Sequence, residues 1–174
     1  YLFEADGSGS QIRTVLSQGG QPNTLVANQG DIEGLAWFPG NAVVFSLTDT
    51  SDFTQLWCYN LGNSTLSRLS SSPYDHFEPH PVSDTLIVFR LDCEPSQIAK
   101  LYQLPDTTTS GTRGYVWCET CLTRSAYEHS SPSPASDGFV LYEVETDNYA
   151  AIGRVNLDGT GEQVILSDAN YELT

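Results

Sequence analysis

Pro81-Val82-Ser83-Asp84-Thr85-Leu86-Ile87-Val88-Phe89 is matched 53 residues later by Pro134-Ala135-Ser136-Asp137-Gly138-Phe139-Val140-Leu141-Tyr142, and 42 residues earlier by the shorter Pro39-Gly40-Asn41-Ala42-Val43-Val44-Phe45. Each copy is a proline, a polar turn and an apolar run rich in β-branched and aromatic residues. A second phrase also recurs. Asp6-Gly7-Ser8-Gly9-Ser10-Gln11-Ile12 returns as Asp158-Gly159-Thr160-Gly161-Glu162-Gln163-Val164, and the two copies close on Leu16-Ser17 and Leu166-Ser167. Self-similarity at a spacing of roughly 40 to 50 residues marks an array of stacked supersecondary units.

Helical periodicity is nearly absent, and short apolar runs are divided by Gly, Pro, Ser, Asp and Asn, the pattern of many antiparallel strands. Aligned, the repeats define a unit of four strands. First strands are expected over 34–38, 76–80 and 127–131, and second strands over 42–47, 85–91 and 139–144. Third strands are expected over 55–60, 99–104 and 151–157, and fourth strands over 66–69, 115–120 and 163–166. Asp-Gly supplies the positive backbone angles of a tight hairpin between the third and fourth strands. The second strands are apolar on both faces, as in a sheet sandwiched between two others. Residues 1–17 read as a third and fourth strand only, and Asp168-Ala169-Asn170-Tyr171-Glu172 reads as a first strand only. The expected fold is therefore all-β: one domain, 1–174, of β-propeller-type repeats built as four-stranded antiparallel blades. Three blades are complete (31–72, 73–125 and 126–167), and complementary partial units stand at the two ends (1–30 and 168–174).

These units resemble TolB-type propeller repeats: an Asp, a Pro, a Ser-Asp-Gly-like turn, an apolar strand, an aromatic strand, an Asp-Gly hairpin and a final Leu-Ser. Asp75, Pro81, Ser83, Asp84, Phe89, Leu101 and Tyr102 carry the pattern, as do Pro134, Ser136, Asp137, Gly138, Tyr142, Asp158, Gly159, Leu166 and Ser167. The unit around Asp31, Trp37, Pro39, Gly40 and Phe45 carries it with a shortened turn. The hairpin phrases are also similar to those of lipoprotein-receptor propellers. TolB-type and peptidase-associated propellers usually have six to eight blades, whereas this chain supplies about four, and the stretch between Leu104 and Tyr115 swells into a Thr/Ser/Gly-rich loop. The resemblance implies a scaffold or protein–protein interaction role, although fold alone does not determine function.

Seven basic residues against 22 acidic ones give a net charge of −15, and Lys100 is the only lysine. Such a surface repels phosphate backbones, which argues against nucleic acid as a partner. No apolar run is long enough to span a bilayer, and no signal-peptide pattern opens the chain. Tyr1 in place of a starting methionine, in a chain with no methionine, reads as a processed or excised product.

Cys58, Cys93, Cys118 and Cys121 form an even set, and Asn63-Ser64-Thr65 is a glycosylation sequon. Together they point to an oxidising, extracellular or cell-surface setting, or a periplasm in a bacterium, with Asn63 carrying a glycan. Four cysteines allow three pairings. A bridge from Cys93 to Cys118 or Cys121 would staple the outer loop, leaving the remaining cysteine for Cys58. Cys118-Glu119-Thr120-Cys121 lies on an expected strand without the helix that activates a redox pair, and no second close pair completes a zinc site.

Three histidines, His76, His80 and His129, fall on first strands, which line a propeller axis, with His80 and His129 in nearly equivalent positions. They are candidate ligands for a metal or anion, against the simpler reading of repeated channel polarity. Glu78 and Glu128 could pair across first strands, and acidic loops at Asp49 and Asp52 and at Asp92 and Glu94 offer hard oxygen ligands suited to calcium. No Gly-x-Ser-x-Gly elbow, nucleophile–base constellation or phosphate-cradling glycine loop occurs, so no enzymatic activity or further cofactor is expected. Incomplete units leave exposed strand edges, which pair readily with other strands. The expected function is a non-enzymatic, secreted structural or protein-interaction module, able to build an extracellular filament by strand complementation. The alternatives are the propeller portion of a larger prolyl-oligopeptidase-type hydrolase, or a cell-surface or periplasmic binding module.

Overall fold

A computed structural model describes residues 2–5, 10–27, 30–48, 52–105, 115–146 and 149–167. All regular structure among them is β. Sheet 1 holds β1 (Leu2–Ala5), β2 (Ser10–Thr14) and β3 (Asn23–Ala27). Sheet 2 holds β4 (Asp31–Phe38), β5 (Ala42–Thr48), β6 (Thr54–Asn60) and β7 (Thr65–Arg68). Sheet 3 holds β8 (Asp75–Ser83), β9 (Leu86–Asp92), β10 (Gln97–Pro105) and β11 (Tyr115–Cys121). Sheet 4 holds β12 (Glu128–Pro134), β13 (Phe139–Glu145), β14 (Ala150–Asn156) and β15 (Gln163–Ser167). Within every sheet the strands pair antiparallel in sequence order, the meander of a propeller blade. Strand ends in sheets 2 to 4 fall within one or two residues of those read from the repeats, apart from the first strands, which extend by up to four residues.

Consecutive sheets pack face to face around three cores. Ile12 and Val26 of sheet 1 meet Ile32, Val43, Phe45 and Leu47 of sheet 2. Val44 and Leu56 of sheet 2 meet Ile87, Phe89, Ala99 and Leu101 of sheet 3. Val88, Ile98 and Leu122 of sheet 3 meet Val140, Tyr142, Val144 and Val155 of sheet 4. Val43, Phe45 and Leu47 therefore point to one neighbour and Val44 to the other, which is why β5 is apolar throughout. Each buried aliphatic or aromatic side chain contributes about 1.5–3 kcal/mol, and no sheet alone could hide both faces.

Sheet 1 departs from the sequence reading. Its β2 is the third strand of the repeat, not the fourth. Gln11-Ile12 stands where Gln55-Leu56 and Gln97-Ile98 open the third strands of sheets 2 and 3, and Ile12 faces the next sheet as Leu56 and Ile98 do. Ser10 N donates to Gly30 O beside the next first strand. An Asp-Gly phrase marks a hairpin but not which hairpin, and its Asp6–Gly9 copy lies outside the described residues. So do the 106–114 loop and the expected strand at 168–174. Among the described residues, sheet 1 thus has counterparts of the second, third and fourth strands and none of the innermost.

The innermost strands share a bulge. Gly34 (φ 58°), Glu78 (φ 52°) and Ser131 (φ 51°) sit at the same position, two residues after Ile32, His76 and His129. At each bulge the register against the second strand shifts. The left-handed backbone costs a glycine little, but Glu78 and Ser131 need support. Glu78 Oε2 accepts from Ser131 N at 2.7 Å, tying sheet 3 to sheet 4.

Candidate functional site

The polar side chains that the fold brings together lie at the junctions between sheets. At the 2/3 junction, Gln55 Nε2 donates to Ser72 O and Tyr74 O, each at 3.0 Å, holding the link between the sheets. Ser70 Oγ donates to Gln55 Oε1 at 2.9 Å and accepts from Leu56 N. Buried His76 stacks on Phe89 with ring centroids 5.1 Å apart. Its Nδ1 lies 3.2 Å from Thr54 O, which can only accept, so that nitrogen carries a hydrogen. Glu119 Oε2 lies 2.6 Å from Nε2, and Ser72 Oγ lies 3.2 Å from both.

The 3/4 junction repeats this pattern. Gln97 Nε2 donates to Ser125 O, and Thr123 Oγ1 donates to Gln97 Oε1 while accepting from Ile98 N. His129 Nδ1 is 2.8 Å from Thr123 Oγ1, whose hydrogen is already committed, so Nδ1 is the donor and Nε2 accepts from Ser125 Oγ at 2.9 Å. Glu162, the counterpart of Glu119, stands farther off at 4.0 Å. Burial pushes the His129 pKa down, opposed by Glu162 and Glu128. Burial, together with Glu162, pushes the Tyr142 hydroxyl up. First-strand carboxylates add a second tie: Asp75 Oδ1 accepts from Thr54 N at 2.6 Å, and Glu128 Oε2 accepts from Ser96 N at 2.7 Å.

These Ser-His-Glu groups are not hydrolytic triads. In a triad the acid holds the imidazole nitrogen remote from the nucleophile. Here Ser72 and Glu119 crowd the same Nε2, while the other nitrogen faces a backbone carbonyl. The arrangement orders two sheets and activates no nucleophile.

Several sequence expectations change. His76, not His80, is the counterpart of His129, and His80 is exposed. Glu78 and Glu128 do not pair with each other, since each caps a backbone N–H of a neighbouring sheet. The structure draws no bridge between Cys58, Cys93, Cys118 and Cys121, and Cys93 lies close enough to Cys121 to feel its charge. Cys118 and Cys121 lie three positions apart on β11, opposite Tyr102 and Ala99, and an odd spacing on a strand sends side chains to opposite faces. Cys58, Cys93 and Cys121 all pack against the 2/3 core, and burial pushes each of these thiols up. Of the calcium candidates, Asp49 lies outside the described residues. Asp52 and Glu94 adopt positive φ, and Asp92 Oδ1 accepts from Ser96 Oγ at 3.0 Å. Among the described residues no group of three or more His, Cys, Asp or Glu is placed to hold a metal ion. Asn63 is exposed on the β6–β7 turn, where its Oδ1 accepts from Thr65 Oγ1 at 2.7 Å.

Sequence reasoning missed Gln55, Gln97, Ser72, Ser125, Glu119 and Glu162. Two signals were present: Gln before an aliphatic residue at the third-strand start, and serine four residues before a first-strand histidine, at Ser72/His76 and Ser125/His129.

No protein-family model matches the sequence, and no curated protein matches it. Solved structures do. A putative TolB from Agrobacterium tumefaciens aligns over 93% of this chain and 58% of its own, at 16% identity and TM-score 0.69. A chain of the nidogen/laminin complex aligns over 92% of this chain and 59% of its own, at 11% identity and TM-score 0.65. Porphyromonas gingivalis dipeptidyl peptidase 4 aligns over 90% of this chain and 22% of its own, at 9% identity and TM-score 0.62. The chain therefore spans less than two thirds of each of these proteins. At such identities the likeness is one of architecture. In fold, the chain is a run of TolB-like β-propeller repeats.

Proposed function

We propose that the chain is a non-enzymatic structural or protein-interaction module of the cell exterior, which joins other proteins, its own copies included, through its incomplete sheet. One observation carries this reading: among the described residues sheet 1 has three strands where its neighbours have four, and no described strand lies on the inner side of β1. An open sheet edge is a template for a donated strand. Residues 168–174 repeat the first-strand phrase and supply a strand of suitable sequence, so donation from one copy to the next builds an extracellular filament. The acidic surface and the Asn63 sequon support the exterior setting, either a cell surface or, in a bacterium, a periplasm. No described helix is long and apolar enough to cross a membrane.

Light scattering on the full chain tests this. The expected result is a mass that grows with concentration and is lost on deleting 168–174. A strict monomer at high concentration sinks the reading.

A second reading, the propeller portion of a larger hydrolase, is favoured by the match to dipeptidyl peptidase 4, of which the chain spans only 22%. A Ser-elbow domain encoded in the same gene would support it.

A further inference from the structure

Among the described residues, one face of sheet 4 is buried and the other is left uncovered. Along β13, Val140, Tyr142 and Val144 turn towards sheet 3 and are buried. The alternate residues Phe139 and Leu141 are half-exposed, and Glu143 and Glu145 are exposed. On β14, Ile152 and Arg154 share this second face. The repeat gives these positions a meaning. Leu141 stands where Val44 and Val88 stand, and Ile152 where Leu56 and Ile98 stand, and all four counterparts are fully buried by the next sheet. Leu166, 65% exposed, borders a hollow on the bare face with Ile152 and Glu143. A repeat whose outer face meets solvent carries polar residues there, and this face carries the apolar residues of an internal junction.

We infer that this face docks sheet 1 of a second copy of the chain, continuing the array head to tail. The inference rests on the assembly reading above but names a different contact, a face and not an edge.

Sheet 1 is the fitting occupant for two reasons. It is a sheet of the same repeat, and its face opposite Ile12 is the one that would meet a preceding sheet. Arg13 occupies there the position held by Trp57, Ala99 and Gly153 in later sheets, each turned towards the sheet before it. Charge also matches. Arg13, hydrogen-bonded to Gln11 at 2.8 Å, would come over a face carrying Glu143 and Glu145. In return, Arg154 sits where Lys100 reaches across the 3/4 junction to Leu157 O at 2.8 Å, so it is placed to reach a backbone carbonyl of the incoming sheet. A contact between two different faces of identical chains is heterologous and extends without a partner of another kind.

The test uses the full chain and two variants, Leu141→Glu on the bare face of sheet 4 and Arg13→Glu on sheet 1, with circular dichroism confirming the β fold. Wild type is expected to gain mass with concentration, and each variant alone to stay monomeric. An equimolar mixture of the two should give a 1:1 dimer that grows no further, because each variant retains one competent face and a misfolded variant could not restore its partner. If wild type assembles and Leu141→Glu assembles equally well, this contact is overturned while the strand-donation reading stands. If wild type is monomeric, both fall. A wild-type monomer whose Leu141 and Ile152 are protected from hydroxyl-radical labelling would overturn the inference in favour of closure by the chain's own sheet 1.

Discussion

Glu119 on the outermost strand of sheet 3 reaches across the sheet to His76 on the innermost, closing to 2.6 Å between Oε2 and Nε2. With Ser72 and Thr54 O on the same histidine, this single contact gathers sheet 2, the connecting link and both edges of sheet 3. Glu119→Ala removes the nearer partner of Nε2 and leaves it Ser72 Oγ at 3.2 Å. The expected cost is about 0.5–1.5 kcal/mol, the net worth of one hydrogen bond. Urea unfolding at neutral pH measures it, and an unchanged midpoint would show that the contact contributes nothing.

His129 makes the fold sensitive to acid. Its folded pKa is held below the ordinary value near 6.5 by burial. The unfolded chain therefore binds the proton first. Stability from this group is complete above about pH 6.5 and is lost as pH falls from there towards the folded pKa. Stability measured from pH 7.5 to 5 should decline with acidification, and His129→Gln should flatten that slope. An equal slope in the variant would remove His129 from the account.

Gly153 is a packing requirement. A methyl group there would lie 2.4 Å from the ring of buried Tyr142. Gly153→Ala should cost about 1–3 kcal/mol, the usual penalty for overfilling a core. The paired change Gly153→Ala with Tyr142→Leu should recover part of it. Thermal melts of the three proteins decide the matter.

Asn63 should carry a glycan when the chain is secreted by a glycosylating host, since it is exposed in a turn with Thr65 beside it. Intact mass spectrometry should show the added mass in wild type and its loss in Thr65→Ala. Unmodified wild type from such a host would refute the assignment.

The strands of sheets 2 to 4 are legible in the sequence because a sheet covered on both faces writes a continuous apolar run, as at 42–47 and 85–91. Sheet 1 was harder to place. Its Asp-Gly phrase copies the one at 158–159, yet the phrase encodes a local backbone angle that serves any hairpin. The packing of Ile12 with Phe45 and Leu47, distant in sequence, and the place of β2 between β1 and β3 identify it as a third strand, which in the sequence only the Gln11-Ile12 pair marks. The junction networks were hidden for the same reason. Ser125 and His129 are four residues apart, but Gln97 and Glu162, which complete the group, lie about thirty residues to either side. Histidines on a first strand suggested an axial ligand site, whereas the side-by-side packing of sheets turns them into mortar.

The glutamine clamp stops at sheet 4, where Ala151 stands in the place of Gln55 and Gln97. Under tension the array should therefore not yield uniformly. The last leaf has no amide to grip whatever follows it, so a filament of the proposed kind, if pulled, would part at the seams between subunits and spare the clamped interior of each one.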